Sequence, residues 1–244
     1  MDEYISPGYE KWGYRGKGPG DNLCNKSLKV LPSIKFSKLN EKAAHYVNKN
    51  KKWKATLLLL TENRKIKWLY TPLLPDMAHD YYSRQGVLLQ YFNSVIPSVA
   101  KIYPKEFGWN QKEWIERKFT NLKLSYKKKN FIDYALKSEI VIIDYNSTGF
   151  LEMVAVKKIP FMCTWNRRWF RGDDRFEEIL DCMEKADIFH ENPESLINTY
   201  KEITTIGINS WWNGKSQKEA VNLMMKNYAL IDKNYREIWY KELS

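Results

Sequence analysis

The sequence lacks the signals that mark several large classes of protein. Its three cysteines, Cys24, Cys163 and Cys182, have no C-x-x-C spacing and no secretion signal precedes them, so they predict a reducing cytoplasm and no disulfide framework. The three histidines complete no familiar metal site with these cysteines. No apolar run reaches about 18 residues, so no transmembrane helix is expected. We therefore expect a cytoplasmic protein without a bound metal.

Basic residues outnumber acidic ones, with 40 Lys and Arg against 29 Asp and Glu and a net charge of +11. This balance favours a polyanionic partner, which is nucleic acid, an anionic membrane surface or a phosphorylated small molecule. The lysines are spread along the chain, so an ordinary basic surface explains the charge equally well. A hydrophobic content of 43% supplies a core and argues against disorder.

Short apolar runs alternate with segments of helical periodicity after residue 50. Strands are predicted at 54–61, 98–104, 121–127, 139–145, 159–165 and 187–190, and helices at 76–96, 110–119, 130–138, 147–158, 173–186, 192–203 and from 216 almost to the end. This alternation predicts an α/β fold, a Rossmann-like parallel sheet flanked by helices, over residues 51–244. Residues 1–50 are predicted to form an irregular N-terminal arm, whose cluster GYRGKGPG lacks Walker spacing and is better explained as a mobile loop than as a phosphate loop.

The junction DYNSTGFLE, residues 144–152, is the first candidate site. A strand ends at Asp144 and a helix begins near Ser147, where unpaired N–H groups carry a partial positive charge. A phosphate at this point would meet the hydroxyls of Ser147 and Thr148, and Gly149 would allow close approach to the backbone. A plain helix cap is the alternative for these residues.

Other side chains are expected near the same sheet edge. Glu152 is a candidate acceptor for sugar hydroxyls or, alternatively, a capping-box partner. Lys101 is a candidate phosphate ligand or a solvated lysine beside Pro104. Three arginines follow the strand at 159–165, namely Arg167, Arg168 and Arg171. They could clamp a diphosphate or a sugar carboxylate, or stack on bases of single-stranded nucleic acid. The third interpretation is that they pair with Asp173 and Asp174. The Trp211–Trp212 pair is expected to pack the tail against the sheet.

Five segments resemble a bacterial family of transferases encoded in surface-polysaccharide loci of the O-antigen type. They are EYISPGYEKWGY, KIYPKEFGW, DYNSTGFLE, KKIP and WWNGKSQKEA, and they follow the family order along nearly the whole chain. The family resembles GT-B glycosyltransferases, of which this chain is similar to the C-terminal half. The resemblance implies a glycosyltransferase that binds a nucleotide-sugar as substrate and needs no cofactor.

The resemblance also assigns residues. It implies that Ser147 and Thr148, next to Asn146, contact the donor phosphate, and that Lys101 and Tyr103 stand where some relatives carry a basic residue and a His-Pro pair. Tyr103 is a departure from that pattern. No Asp-x-Asp pair of the metal-dependent transferases is present.

In the family, the Trp-Gly segment lies deep inside a longer chain, whereas here it begins at the first residues. We therefore expect the N-terminal acceptor half to be absent and to come from a separately encoded half or a homo-oligomer, with the catalytic base unassigned. The alternatives are a non-catalytic subunit of a split transferase and a basic nucleic-acid-binding or regulatory module. No recognition motif supports the last, so nucleic acid is disfavoured. The expected location is the cytoplasm, with peripheral contact to the anionic inner membrane as a further expectation.

Overall fold

The computed structural model describes residues 30–44, 51–61, 75–104, 108–126, 130–169 and 172–244. Ten helices and six strands are assigned within these ranges. In chain order they are α1 (Ile34–Ala44), β1 (Trp53–Leu58), α2 (Pro75–Phe92), β2 (Ser98–Lys101), α3 (Gln111–Lys118), β3 (Lys123–Ser125), α4 (Phe131–Ala135), β4 (Ser138–Ile143), α5 (Thr148–Val156), β5 (Phe161–Thr164), α6 (Asp174–Lys185), β6 (Phe189–His190), α7 (Pro193–Ile206), α8 (Ile208–Trp212), α9 (Lys215–Tyr228) and α10 (Tyr235–Leu243).

All six strands are parallel and form one sheet in the order β3-β2-β1-β4-β5-β6. Leu58 at the end of β1 is in register with Lys101 of β2 on one side and with Ile143 of β4 on the other. The chain adds β2 and β3 on one side of β1 and then adds β4, β5 and β6 on the other side. The order in which strands are added to the sheet therefore reverses between β1 and β4. This arrangement confirms the predicted α/β fold with a parallel sheet.

The apolar runs form central strands because helices cover both faces of the sheet. Ile140, Val141, Ile142 and Ile143 of β4 are all fully buried although their side chains alternate between the two faces. Helix α2 packs against α7, while α5 contacts both α1 and α9, and α9 also contacts α6. The core thus lies in two apolar layers, one on each side of the sheet.

Three features of the structure were not predicted. Helix α1 lies within the segment for which an irregular arm was expected, the short helix α8 precedes the predicted tail helix, and the tail from residue 216 is interrupted at residues 229–234. The glycine cluster and the EYISPGYEKWGY segment lie outside the described residues. The expected packing of the tryptophan pair is confirmed, since the Trp212 ring lies 5.1 Å from that of Phe161 in β5.

In the described part of the chain, none of the helices combines the length and the hydropathy that crossing a membrane requires.

The central strand should carry much of the stability. Ile142 is fully buried, whereas Ile206 at the end of α7 is 63% exposed. Replacing Ile142 by Ala is expected to lower the free energy of unfolding by about 2–5 kcal/mol, because it leaves a cavity in close-packed surroundings. The matched variant Ile206→Ala is expected to change it by less than about 0.5 kcal/mol. Urea unfolding followed by circular dichroism measures both, and equal losses would contradict this view of the core.

Candidate functional site

The candidate site lies at the carboxyl ends of β1 and β4, the neighbouring strands between which sheet growth reverses. Ligands of doubly wound α/β proteins bind beyond the carboxyl ends of the strands at such a point. Residues 59–61 continue from β1, and residues 144–147 connect β4 to the first turn of α5. These two segments form the described part of the site at the ends of β1 and β4.

Asp144 organises this edge from a buried position. Its Oδ1 accepts a hydrogen bond from the backbone N–H of Leu60 at 2.7 Å, and its Oδ2 accepts one from Nε2 of Gln85 at 2.7 Å. The hydroxyl of Tyr81 donates to the backbone carbonyl of Asp144 at 2.5 Å. The side chains of one helix, α2, thereby join the ends of β1 and β4.

The hydrogen bonds continue from Gln85 to the next strand. Nε2 of Gln111, in α3, donates to Oε1 of Gln85 at 2.9 Å and to the carbonyl of Leu60 at 2.8 Å. The Thr61 hydroxyl donates to Oε1 of Gln111 at 2.6 Å and accepts from the backbone N–H of Tyr103 at 3.1 Å. We call Asp144, Gln85, Gln111 and Thr61 the edge network. It fixes the ends of β1, β2 and β4 relative to one another.

Burial dominates the electrostatics of this network. Desolvation raises the pKa of Asp144 from its ordinary value of 3.8 to about 7, although hydrogen bonds from Leu60, Gln85 and Tyr81 favour the carboxylate. Burial, with the nearby charge of Asp144, raises the pKa of Tyr145 to about 12. Since Asp144 is only 4% exposed, it holds the edge together and does not face an incoming substrate.

Ser147 and its neighbours form the start of α5. The Ser147 hydroxyl accepts a hydrogen bond from the N–H of Phe150 at 3.3 Å, so Ser147 is the N-cap, as the alternative interpretation proposed. Thr148 is exposed, and Asn146 is half-buried. A Cβ atom on Gly149 would lie 2.4 Å from Cδ2 of Leu58, so a larger residue there would displace the Leu58 side chain between α5 and β1.

Glu152 lies one turn further along α5. Its carboxylate pairs with the ammonium of Lys35 in α1 at 2.7 Å, and the Glu152 side chain is 13% exposed. The capping-box alternative is wrong, because Phe150 and not Glu152 occupies the third position after the cap. The ion pair joins α1 to α5 beside the candidate site.

Lys101 and Tyr103 lie at the end of β2. Lys101 is 6% exposed, its ammonium donates to the carbonyl of Ile102 at 3.3 Å, and burial lowers its pKa. The alternative of a solvated lysine is therefore wrong. Tyr103 is 53% exposed at the same edge.

Arg167 follows β5 and is bound by acids. Its guanidinium lies 2.6 Å from Glu184 and 3.3 Å from Glu191, and it also pairs with Asp181 and Glu177. Arg167 is therefore paired with acids, as one of the alternatives held, although its partners do not include Asp173, which caps α6 through the N–H of Phe176. Arg167 thus attaches the β5 connection to α6, which leaves little of its charge for a ligand.

Arg168 and Arg84 are the other arginines of this edge. Arg168 is exposed and forms no ion pair with a described residue, whereas Arg171 lies outside the described ranges. Arg84 of α2 donates to the carbonyl of Glu191 and lies 3.5 Å from the Thr164 hydroxyl at the end of β5. Sequence reasoning missed Arg84, because an arginine within an amphipathic helix gives no signal of its own.

The structure thus brings Asn146, Ser147, Thr148 and Glu152 together on one connection and helix, between the ends of β2 and β5. Four cavities of the described chain are walled by other residues, and none is lined by Thr148. One of about 950 Å³ lies beside α2, with Tyr82, Trp109 and Trp114 in its wall. Among the described residues, no group of three or more His, Cys, Asp or Glu side chains is placed to hold a metal ion.

Comparison with known protein families gives a match over almost the whole chain. The family described as "LIC12162 family transferase" matches residues 1–243 of the chain. No curated protein matches the sequence.

The raised pKa of Asp144 makes stability depend on pH. Between about pH 4 and about pH 7, the folded protein holds a proton at Asp144 that the unfolded chain has released, so the contribution of this group to stability falls as pH rises through that window. Asp144→Asn cannot titrate. Lowering the pH from about 8 to about 5 is therefore expected to raise the unfolding free energy of wild type relative to Asp144→Asn.

Urea unfolding across this pH range measures the difference. Glu237→Gln, which removes an exposed acid of α10, is the control and should follow the wild-type profile. Parallel profiles for wild type and Asp144→Asn would show that Asp144 does not titrate in this window.

Proposed function

The chain belongs to the LIC12162 family of transferases, and we propose that it binds the nucleotide-sugar donor for a glycosyl transfer in bacterial surface-polysaccharide biosynthesis. Membership establishes transfer chemistry in general terms; the sugar donor and the polysaccharide pathway are our proposal. The proposal also takes the domain to be of the GT-B C-terminal type. The Rossmann-like sheet supports it, since such sheets bind nucleotides at the reversal of strand order.

The observation that carries the proposal is the position of α5. The helix begins at the carboxyl end of β4, beside β1. Its first residue, Thr148, is exposed and carries a hydroxyl group. Free N–H groups in the first turn and the helix dipole favour an anion at this end. The Ser147 hydroxyl already accepts from Phe150, so we propose that Thr148 and the backbone of Gly149 contact the donor diphosphate.

Some of the surrounding side chains contact the donor directly in this proposal, and others act only by holding the site or by their charge. Exposed Arg168 contacts a phosphate or a sugar carboxylate, while Arg167 holds the β5 connection through its acids. Glu152, which pairs with Lys35 through one carboxylate oxygen, accepts hydrogen bonds from sugar hydroxyls. Asn146 and Tyr103 line the approach. Buried Lys101 adds positive charge from the end of β2 without direct contact.

We assign the catalytic base to none of these residues. Asp144 is buried in the edge network, and Glu152 is committed to Lys35. A general base must lie within hydrogen-bond reach of the acceptor hydroxyl. We propose that the base lies outside this group of residues, on another segment of the chain or on a second copy of it. A transfer assay on the purified chain, with its oligomeric state measured alongside, would distinguish the two.

Donor binding can be tested by calorimetry with a panel of uridine, guanosine, cytidine and thymidine nucleotide-sugars. At least one is expected to bind wild type, and Thr148→Ala is expected to bind it about tenfold more weakly, because a hydrogen bond to a charged group is lost. Ser147→Ala is less informative, since loss of the N-cap itself costs about 1 kcal/mol of stability.

The matched control is Thr204→Ala, an exposed threonine of α7 whose hydroxyl donates to its own helix at the carbonyl of Lys201. It should bind the donor as wild type does. No heat with any member of the panel, or equal weakening by Thr148→Ala and Thr204→Ala, would refute a donor site at α5.

A further inference from the structure

The edge of the sheet opposite the candidate site, where the strands begin, is rich in lysine. Six exposed lysines lie just before β1, β4 and β5 or in the first turn of α9. They are Lys51, Lys52, Lys137, Lys157, Lys158 and Lys218, and we call them the lysine edge. Lysines that look scattered in the sequence are therefore gathered at one end of the domain, because parallel strands all begin at the same edge.

The acids of this region do not neutralise the lysine edge. Asp133 pairs with Lys42 at 2.9 Å, Glu139 with Lys54 at 2.8 Å and Glu219 with Lys215 at 3.9 Å. Of these acids, Glu139 also acts on Lys51 through space. The six lysines themselves form no ion pair with any residue that the structure describes. This edge therefore keeps an excess of positive charge among the residues that the structure describes.

Four of the six lysines converge on one cavity of about 720 Å³. Lys51, Lys157, Lys158 and Lys218 line it together with amide side chains and Trp212, and its wall contains no carboxylate. Partial burial lowers the pKa of Lys51, while the charge of Glu139 acts in the opposite direction. Several ammonium and amide donors around one space suit the oxygens of a phosphate group.

Lys157 occupies an unusual backbone conformation in the cavity wall. It ends α5 with φ of 42°, in the left-handed region where glycine is the common residue. The indole N–H of Trp212 donates to its carbonyl at 3.0 Å and holds this turn. This turn places the Lys157 side chain in the wall of the cavity.

Two large aliphatic side chains project beside the lysines. Ile96, in the turn before β2, is 61% exposed, and Ile206, at the end of α7, is 63% exposed. Ile96 lines a neighbouring cavity together with Lys51 and Lys54. Lysines with protruding aliphatic side chains are typical of surfaces that lie against lipid.

We propose that the lysine edge docks on an anionic phospholipid membrane, with the cavity between Lys51 and Lys158 receiving a headgroup phosphate and Ile96 and Ile206 entering the interface. In this orientation the carboxyl ends of the strands point away from the lipid. The inference does not depend on the proposed donor site, which lies at the opposite edge, so either proposal can fail without the other.

Cosedimentation of the full chain with vesicles tests the docking. Binding is expected to vesicles of equal phosphatidylcholine and phosphatidylglycerol and not to phosphatidylcholine alone. Lys157→Gly combined with Lys158→Ala should weaken this binding about 25-fold, at about fivefold for each lysine. Glycine suits the backbone at residue 157, so this variant should fold. Ile96→Ser should weaken binding without changing the charge.

The matched control removes two positive charges at the opposite edge, in Arg175→Ala combined with Lys233→Ala. Arg175 lies in the first turn of α6, and Lys233 follows α9, whose last residue Tyr228 donates to Asp173 at that edge. This variant should bind vesicles as wild type does. The docking is refuted if both double variants lose affinity equally, if neither vesicle is bound, or if an oligonucleotide or free pyrophosphate binds the lysine edge more tightly than the anionic vesicles do.

Discussion

One buried carboxylate determines the geometry of the carboxyl edge. Asp144 accepts hydrogen bonds from the backbone after β1 and from Gln85 of α2, and through Gln111 the same network reaches the end of β2. A buried network of this kind is costly unless each polar group finds a partner. Here the two amide side chains and Thr61 supply the partners. The start of α5 is consequently held at a fixed place beside β1.

The sequence predicted what depends on local pattern. Buried strands appear as apolar runs, and the polar residues from Asp144 to Ser147 predict both the end of β4 and the start of α5. Contacts between distant segments could not be predicted in this way. Gln85 and Gln111 are ordinary polar residues of two amphipathic helices, and only the fold brings their amides to 2.9 Å. Strand order, the role of Gly149 against Leu58 and the acids around Arg167 depend on tertiary packing as well.

The two edges of the sheet differ in chemistry for a physical reason. Parallel strands place all their carboxyl ends on one side, where the connections supply hydroxyl, amide and arginine side chains around the start of α5. Their amino ends lie on the other side, where short connections such as Lys157–Lys158 expose lysines. The net charge of +11 is therefore distributed unevenly over the surface. Each edge offers a different kind of anion site, and both proposals follow from that separation.

Helix α5 connects these two sites directly. Its nine residues span about 13 Å, from Thr148 near the proposed donor to Lys157 in the wall of the lysine cavity. If binding of the donor or of lipid displaces α5, the two binding equilibria are thermodynamically coupled. Reciprocity then requires that lipid attachment change donor affinity by the same factor by which the donor changes lipid attachment. If both proposals hold, α5 is the segment through which membrane docking and donor binding influence each other.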